Sequence, residues 1–226
     1  MPEPDDFLRH NIEQYLFDDL RVMQGLPTPP AGGGGGLGYP LLMSALAGIE
    51  LLGALVSQSP FDTNSGRSYF REYWQLFLYP NDVGRHGAAD FIYTSARNAI
   101  THSFLLKGQV GIVKGQPAWH LTKDASGAFY IDASQLASDL IVSYEARVKP
   151  CLTAATSQLS RATILDRVQE LQASYAKTAQ NAVTKTPSPG GMAPASIGIS
   201  GLSGPVSSSV SRTAALSAPL GPIGKP

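Results

Sequence analysis

The stretch that most constrains the fold is Leu37 to Val56, an apolar run carrying a single charge, Glu50. Drawn as a helix, Leu41, Leu42, Ala45, Leu46, Ile49, Leu52, Leu55 and Val56 wrap most of its circumference. Pro40 suits the first turn. Such a surface must be buried, in protein or in lipid. The run is about long enough to span a bilayer. Glu50 near its middle, Gly48 and Gly53 within it, and the lack of flanking Lys or Arg anchors argue instead for a core helix, without stable membrane insertion. Ser44 and Gly48 form a small-xxx-small pair that suits close helix packing in either setting.

Glu50 is the anomaly in this helix, because a buried carboxylate is costly unless it is paired. It has two places to go. It can face the helix that carries Arg97 and orient that guanidinium, or it can lie on a narrow strip open to solvent. A separation above about 6 Å between the two groups would exclude the pairing.

The rest of the chain divides by periodicity. Pro4 to Gln24 reads as an amphipathic helix, with Phe7, Leu8, Ile12, Tyr15, Leu16, Leu20 and Met23 as its apolar stripe. Asp5 and Asp6 favour its start and Gly25 its end. Pro27, Pro29, Pro30 and the run Gly32 to Gly36 then break all regular structure. No Lys-Ser or Lys-Thr follows those glycines and no strand precedes them, which argues against a phosphate-binding P-loop. Arg67 to Tyr79 is aromatic-rich, and Tyr69, Tyr73 and Phe77 share one helical face while Phe70, Trp74 and Leu78 share another. Core packing explains these rings; stacking on RNA bases beside Arg67 and Arg71 is the other reading. Pro80 ends the helix.

Beyond Gly108 the period shortens. Gln109 to Val113, Ala118 to Thr122 and Ala128 to Ile131 read as strands of a small antiparallel hairpin or meander, with basic turns at Lys107, Lys114 and Lys123. His120, beside Trp119, is assigned a structural role. Asp132 is a good N-cap for a helix over Ala133 to Val148, with Leu136, Leu140, Ile141 and Tyr144 inward. Pro150 breaks or kinks it. Leu152, Leu159, Ala162, Leu165, Val168, Leu171 and Tyr175 continue a helical stripe to about Val183. From Thr184 onward Ser, Pro, Gly and Ala dominate with almost no charge, the composition of a disordered tail.

Seventeen basic and seventeen acidic residues among 226 give no net charge, so any nucleic-acid contact has to come from a local patch. The single cysteine, Cys151, excludes an intrachain disulfide and a cysteine-rich zinc site, and suits a buried filler in a reducing cytosol. The acidic start (Glu3, Asp5, Asp6) is unlike a signal peptide, so a cytoplasmic location is expected. No spacing of His, Cys, Asp or Glu forms a metal motif, and no cofactor is expected.

The segment Gly87 to Leu106 reads as helix and holds Arg97-Asn98-Ala99-Ile100-Thr101-His102. Asn98 and His102, four apart, share a face, whereas Arg97 lies roughly 140° around from His102 on an ideal helix. Such a hexamer is either an ordinary amphipathic helix or a cation set beside an imidazole for phosphodiester chemistry. The pattern Arg-Asn-x-x-x-His near the end of a helix, in a mostly helical chain, resembles the signature of the HEPN superfamily. The likeness covers roughly Tyr39 to Leu106 and, at its widest, the helices after Asp132. Many members of that family are metal-independent ribonucleases of toxin–antitoxin, phage-defence or RNA-processing systems, and commonly dimerise so that two motifs face one cleft.

The resemblance implies that His102 moves protons, since an unperturbed imidazole titrates near neutrality, while Arg97 grips the phosphoryl oxygens. Asn98 would fix the imidazole or touch the phosphate, and Glu50 would support Arg97. Arg85, His86 and Lys107 are candidate phosphate contacts, although Arg85 and His86 also suit a solvated turn. A homodimer, an RNA substrate, and an antitoxin or nucleotidyltransferase partner are the implied associations. The alternative is a non-catalytic helical module for dimerisation or for nucleotide or protein binding.

The expected architecture is therefore mainly α: a helical bundle with a small antiparallel β-hairpin or meander insertion and a disordered C-terminal tail. Its parts are an N-terminal helix over 1–25, a flexible Gly/Pro-rich loop over 26–38, a HEPN-like helical domain over 39–183 with the β insertion at about 109–131, and the tail over 184–226.

Overall fold

In the computed structural model, which describes residues 4–27, 37–97, 110–152 and 159–184, the apolar stretch is a helix enclosed by other helices. The chain divides into two units, Met1–Lys185 and Thr186–Pro226, and every described residue belongs to the first. Apart from Thr184, which ends the last helix, the expected tail lies outside the described residues, as does the Gly32 to Gly36 run. In chain order the helices are α1 (4–25), α2 (Gly38–Val56), α3 (66–78), α4 (Val83–His86), α5 (88–97), α6 (133–148) and α7 (Arg161–Thr184). A three-stranded sheet, β1 (Val110–Val113), β2 (Thr122–Lys123) and β3 (Phe129–Asp132), lies between α5 and α6 in sequence. The fold is thus mainly α with a small β insertion.

Helix α2 is the axis of the bundle and packs against α1, α3, α6 and α7. Its mean hydropathy of 1.7 would suit a membrane span, yet 61% of that window is buried against protein. The core reading rests on that covering: Leu41, Leu42, Ala45, Ile49 and Leu52 have no solvent exposure. The aromatic stretch supplies much of the cover. Tyr69, Phe70, Tyr73, Trp74, Phe77 and Tyr79 are all at most 8% exposed, which sets aside the RNA-stacking reading of these rings. The four-residue spacing acts as expected, stacking Tyr73 on Phe77 at 5.4 Å and Phe70 on Trp74 at 5.7 Å. The buried Tyr73 hydroxyl is satisfied by Ser143 Oγ at 2.9 Å, which joins α3 to α6.

Several described helices contain π-helical turns, and these alter which residues face inward. In α1 the π-helical stretch Leu8–Phe17 buries Leu8, Ile12 and Phe17, while Tyr15 is 66% exposed. The expected stripe contained Tyr15 and omitted Phe17. Bonds from i to i+5 turn less per residue than α-helical ones, so the five-residue step from Ile12 to Phe17 stays on one face. In α7 the buried set is Ile164, Val168 and Leu171, with Leu159 just before it; Ala162 and Tyr175 are exposed. That corrects the expected stripe, because the face of α7 is set by its packing on α2.

The sheet departs from a meander. Its order is β1-β3-β2: β3 pairs antiparallel with β2, but parallel with β1, from Val110 opposite Phe129 to Val113 opposite Asp132. The expected middle strand is mostly a 3₁₀ turn, Pro117–Trp119, followed by Leu121 at φ +57°. Pro117 has no N–H for a ladder, and the left-handed Leu121 redirects the chain, so two residues are left to pair. The central strand is β3, because its Phe129 and Ile131 are the ones buried on the bundle.

Asp132 links this sheet to α6. It is fully buried; Oδ1 accepts from Gln135 N at 2.9 Å, capping the helix, and Oδ2 accepts from Gln116 N. Asp132→Ala removes the cap and leaves Gln116 N without its acceptor. It is expected to cost about 2–3 kcal/mol in urea unfolding. A loss below about 0.5 kcal/mol would show that the capping role is wrong. Helix α6 buries Leu136, Leu140 and Tyr144 as expected, while Ile141 is only half-buried. It gives way to a 3₁₀ turn, Lys149–Leu152, at Pro150. Cys151 is buried in that turn.

Candidate functional site

Arg97 is the last described residue of α5, at the end of a π-helical turn, Tyr93–Arg97. Its Nε lies 2.7 Å from Glu50 Oε2, and the two side chains are 24% and 22% exposed. Glu50 therefore faces α5 and not an open solvent strip. The contact is an ion pair in which Oε2, itself buried, accepts no aligned hydrogen bond among the described residues. At this partial exposure, removing one partner is expected to cost about 1–2 kcal/mol, short of the cost at a sealed site.

Two neighbours complete the setting. Tyr93 is four residues before Arg97 on the same face, and the guanidinium carbon lies 5.8 Å from its ring centre. Burial first, and then the Glu50 charge, push the Tyr93 hydroxyl above its ordinary pKa, against the opposing pull of Arg97 and Arg67. Gly66 opens α3 at this point. A Cβ there would sit 2.5 Å from Glu50 Oε1 and 2.9 Å from the Tyr93 hydroxyl, so the absence of a side chain makes room for the carboxylate. Sequence reasoning passed over both residues. The four-residue step from Tyr93 to Arg97 was available as a signal, but nothing in sequence brings Gly66 close to Glu50.

Glu50 and Arg97 lie on the wall of a cavity of about 350 Å³ lined also by Phe61, Asp62, Tyr69 and Tyr175. Tyr175, 64% exposed, stands at its edge. Asp62 is held below the ordinary carboxylate pKa by the Asn64 backbone N–H and the Ser65 hydroxyl. The cavity thus combines one guanidinium, two carboxylates and three rings.

The other sequence-derived site residues fall elsewhere. Asn98, His102 and Lys107 lie outside the described residues. Arg85 and His86 are not gathered with Arg97. Arg85 Nε pairs with Asp82 Oδ2 at 2.9 Å, and its guanidinium lies 4.8 Å over the Tyr79 ring. His86 Nε2 is hydrogen-bonded to Tyr79 O at 2.8 Å. The segment folds into α4, which Trp74 Nε1 anchors by donating to Arg85 O. Among the described residues no group of three His, Cys, Asp or Glu side chains is placed to hold a metal.

His120, 5% exposed, is part of a second polar cluster. The Tyr79 hydroxyl donates to Asp139 Oδ2 at 2.6 Å, His120 Nε2 lies 3.0 Å from that hydroxyl, and Gln135 Nε2 donates to Asp139 Oδ1 at 2.7 Å. Burial works to raise the Asp139 pKa, but hydrogen bonds from His120, Tyr79 and Gln135 outweigh it and hold the carboxyl below its ordinary 3.8. A depressed carboxyl binds fewer protons in the folded state. Asp139 therefore contributes stability that is complete above about pH 4 and disappears as pH falls through the lower folded value. Asp139→Asn is expected to flatten the acid limb of the stability–pH curve below pH 4. An unchanged limb, measured by urea unfolding between pH 2 and 5, would remove Asp139 as a contributor.

No family model, curated protein or solved structure matches the chain.

Proposed function

We propose that this chain is a HEPN-like, metal-independent endoribonuclease acting as a homodimer on RNA. The observation that supports the reading is Arg97 held by Glu50 at the wall of an open cavity, in the helix leading into the Arg97-to-His102 motif. RNA carries its own nucleophile. The 2′-oxygen attacks phosphorus, the bond to the 5′-oxygen breaks, and the protein has only to move two protons and stabilise charge. His102 takes the proton role, and Arg97, which stays charged, faces the phosphoryl oxygens. Glu50 fixes the guanidinium through Nε. A cytoplasmic toxin–antitoxin or phage-defence setting, with an antitoxin or nucleotidyltransferase partner, comes with the family likeness.

The test is incubation of the full chain with single-stranded RNA in EDTA. The expected products end in 2′,3′-cyclic phosphate. RNA left intact by folded protein overturns the enzyme reading and leaves a helical binding module. That second reading has its own support, since Glu50 already offsets the Arg97 charge within one chain. Glu50→Gln distinguishes the two. If Glu50 positions Arg97 for catalysis, cleavage falls about ten- to a hundredfold, as expected when a catalytic group loses its alignment. If the pair is only structural, stability falls and any cleavage persists unchanged.

A further inference from the structure

A second cavity of about 350 Å³ opens on the His120 cluster, with a different lining from the Glu50–Arg97 site. Arg85, Arg147, His120, Tyr79 and Asp139 line it, beside Leu78, Val142 and Pro117. Two features of this lining define how it meets a ligand. The first is Arg147. Its Nη1 donates to Phe77 O at 2.7 Å, but no carboxylate lies within ion-pair distance of it among the described residues. A half-buried guanidinium without a counter-charge is the kind of group an anion stabilises. The second is His120 Nδ1, a buried ring nitrogen with no hydrogen-bond partner among the described residues.

The hydrogen-bond directions define what Nδ1 can offer. The Tyr79 proton is committed to Asp139, so the Tyr79 oxygen accepts from His120 Nε2. Asp139 is satisfied at both oxygens, by Gln135 and by Tyr79. Its Oδ2 also lies 3.5 Å from His120 Nε2. Nδ1 itself has no exposed surface, so the charged donors of the cavity wall are the two guanidiniums. Arg85 shares its charge with Asp82 through Nε. Guanidinium forks match phosphate oxygens, and two forks on separate elements suit a phosphate group. The volume exceeds a bare phosphate, and Leu78, Val142 and Pro117 give apolar surface for an attached organic group.

We infer that this cavity is a binding site for a small organic phosphomonoester, held by Arg147 and Arg85 beside His120. The site is independent of the ribonuclease reading.

The test is calorimetric titration of the full chain with phenyl phosphate, with inorganic phosphate for comparison and with the His120 imidazole nitrogens followed by NMR. Phenyl phosphate is expected to bind with a Kd on the order of 1 mM or tighter, at least tenfold more tightly than inorganic phosphate, and to move both His120 signals. Arg147→Gln should weaken it tenfold or more. Should that variant fail to fold, Arg85→Gln takes its place and should weaken binding by at least threefold. Glu50→Gln, in the other cavity, should leave the affinity unchanged. No binding at 20 mM (roughly twentyfold above the expected Kd), no movement of the His120 signals, or unchanged affinity in the folded arginine variant would overturn the assignment. Equal affinity for the two phosphates would overturn the organic part of it.

Discussion

Gly53→Ala is expected to destabilise the protein by about 3 kcal/mol or more, the upper end for overpacking a core. Added at Gly53, a Cβ would stand 2.1 Å from Tyr69 O and 2.5 Å from Tyr69 C. Those are backbone atoms and cannot rotate away. Helices α2 and α3 would have to separate, loosening the contacts of Phe70, Tyr73 and Trp74 with the core. Gly48→Ala is the control. Its Cβ would meet Leu140 Cδ2 and Leu16 Cδ2 at 2.9 Å, the far ends of rotatable side chains. Alanine also favours a helix by about 1 kcal/mol over glycine. Gly48→Ala should therefore cost less than about 1 kcal/mol net. Urea unfolding of both variants checks this, and equal losses would mean that the two helices do not meet at Gly53. Against a typical total stability of about 5–15 kcal/mol, the Gly53 loss is a large fraction.

His102→Ala is expected to lower the cleavage of single-stranded RNA by about 10²- to 10⁴-fold, the contribution of a positioned general acid or base. The fold should survive, because the largest fully buried side chains, among them Phe17, Leu41, Phe70, Tyr73, Trp74 and Tyr144, stand on α1, α2, α3 and α6. Thermal unfolding beside the cleavage assay separates the outcomes. Cleavage by the variant at the parental rate sinks the proton role of His102. A collapse of stability in parallel with activity would instead make His102 a packing residue. In the folded variant the phosphomonoester site should be untouched, since Arg147 and His120 belong to a different cavity.

The elements differ in how far sequence alone defined them. Helix α2 was legible from its apolar circumference, and the aromatic helix from its four-residue spacings, because both patterns have one helical solution that buries them. The cap at Asp132 was legible as well, since a capping carboxylate acts on its own next turn. The sheet pairing was not. Three short strands can be ordered in more than one way, and the choice depends on which strand finds helices to cover it, a property of the whole bundle. The inward face of α1 was misjudged at Tyr15 and Phe17, because a π-helical turn changes the phase that spacing arguments assume.

The candidate site divides along the same line. The amino-acid sequence determined that Glu50, alone in an apolar helix, needed a cation, and that Arg97 began a motif worth testing. Tertiary structure decided that these two side chains meet, that Gly66 and Tyr93 frame them, and that Arg85 belongs with His120 instead. The reason is range. Helical spacing, capping and apolar periodicity act over a few residues and are written locally. A pair 47 residues apart, or the 62-residue separation of Arg85 from Arg147, exists only once packing has fixed which faces oppose.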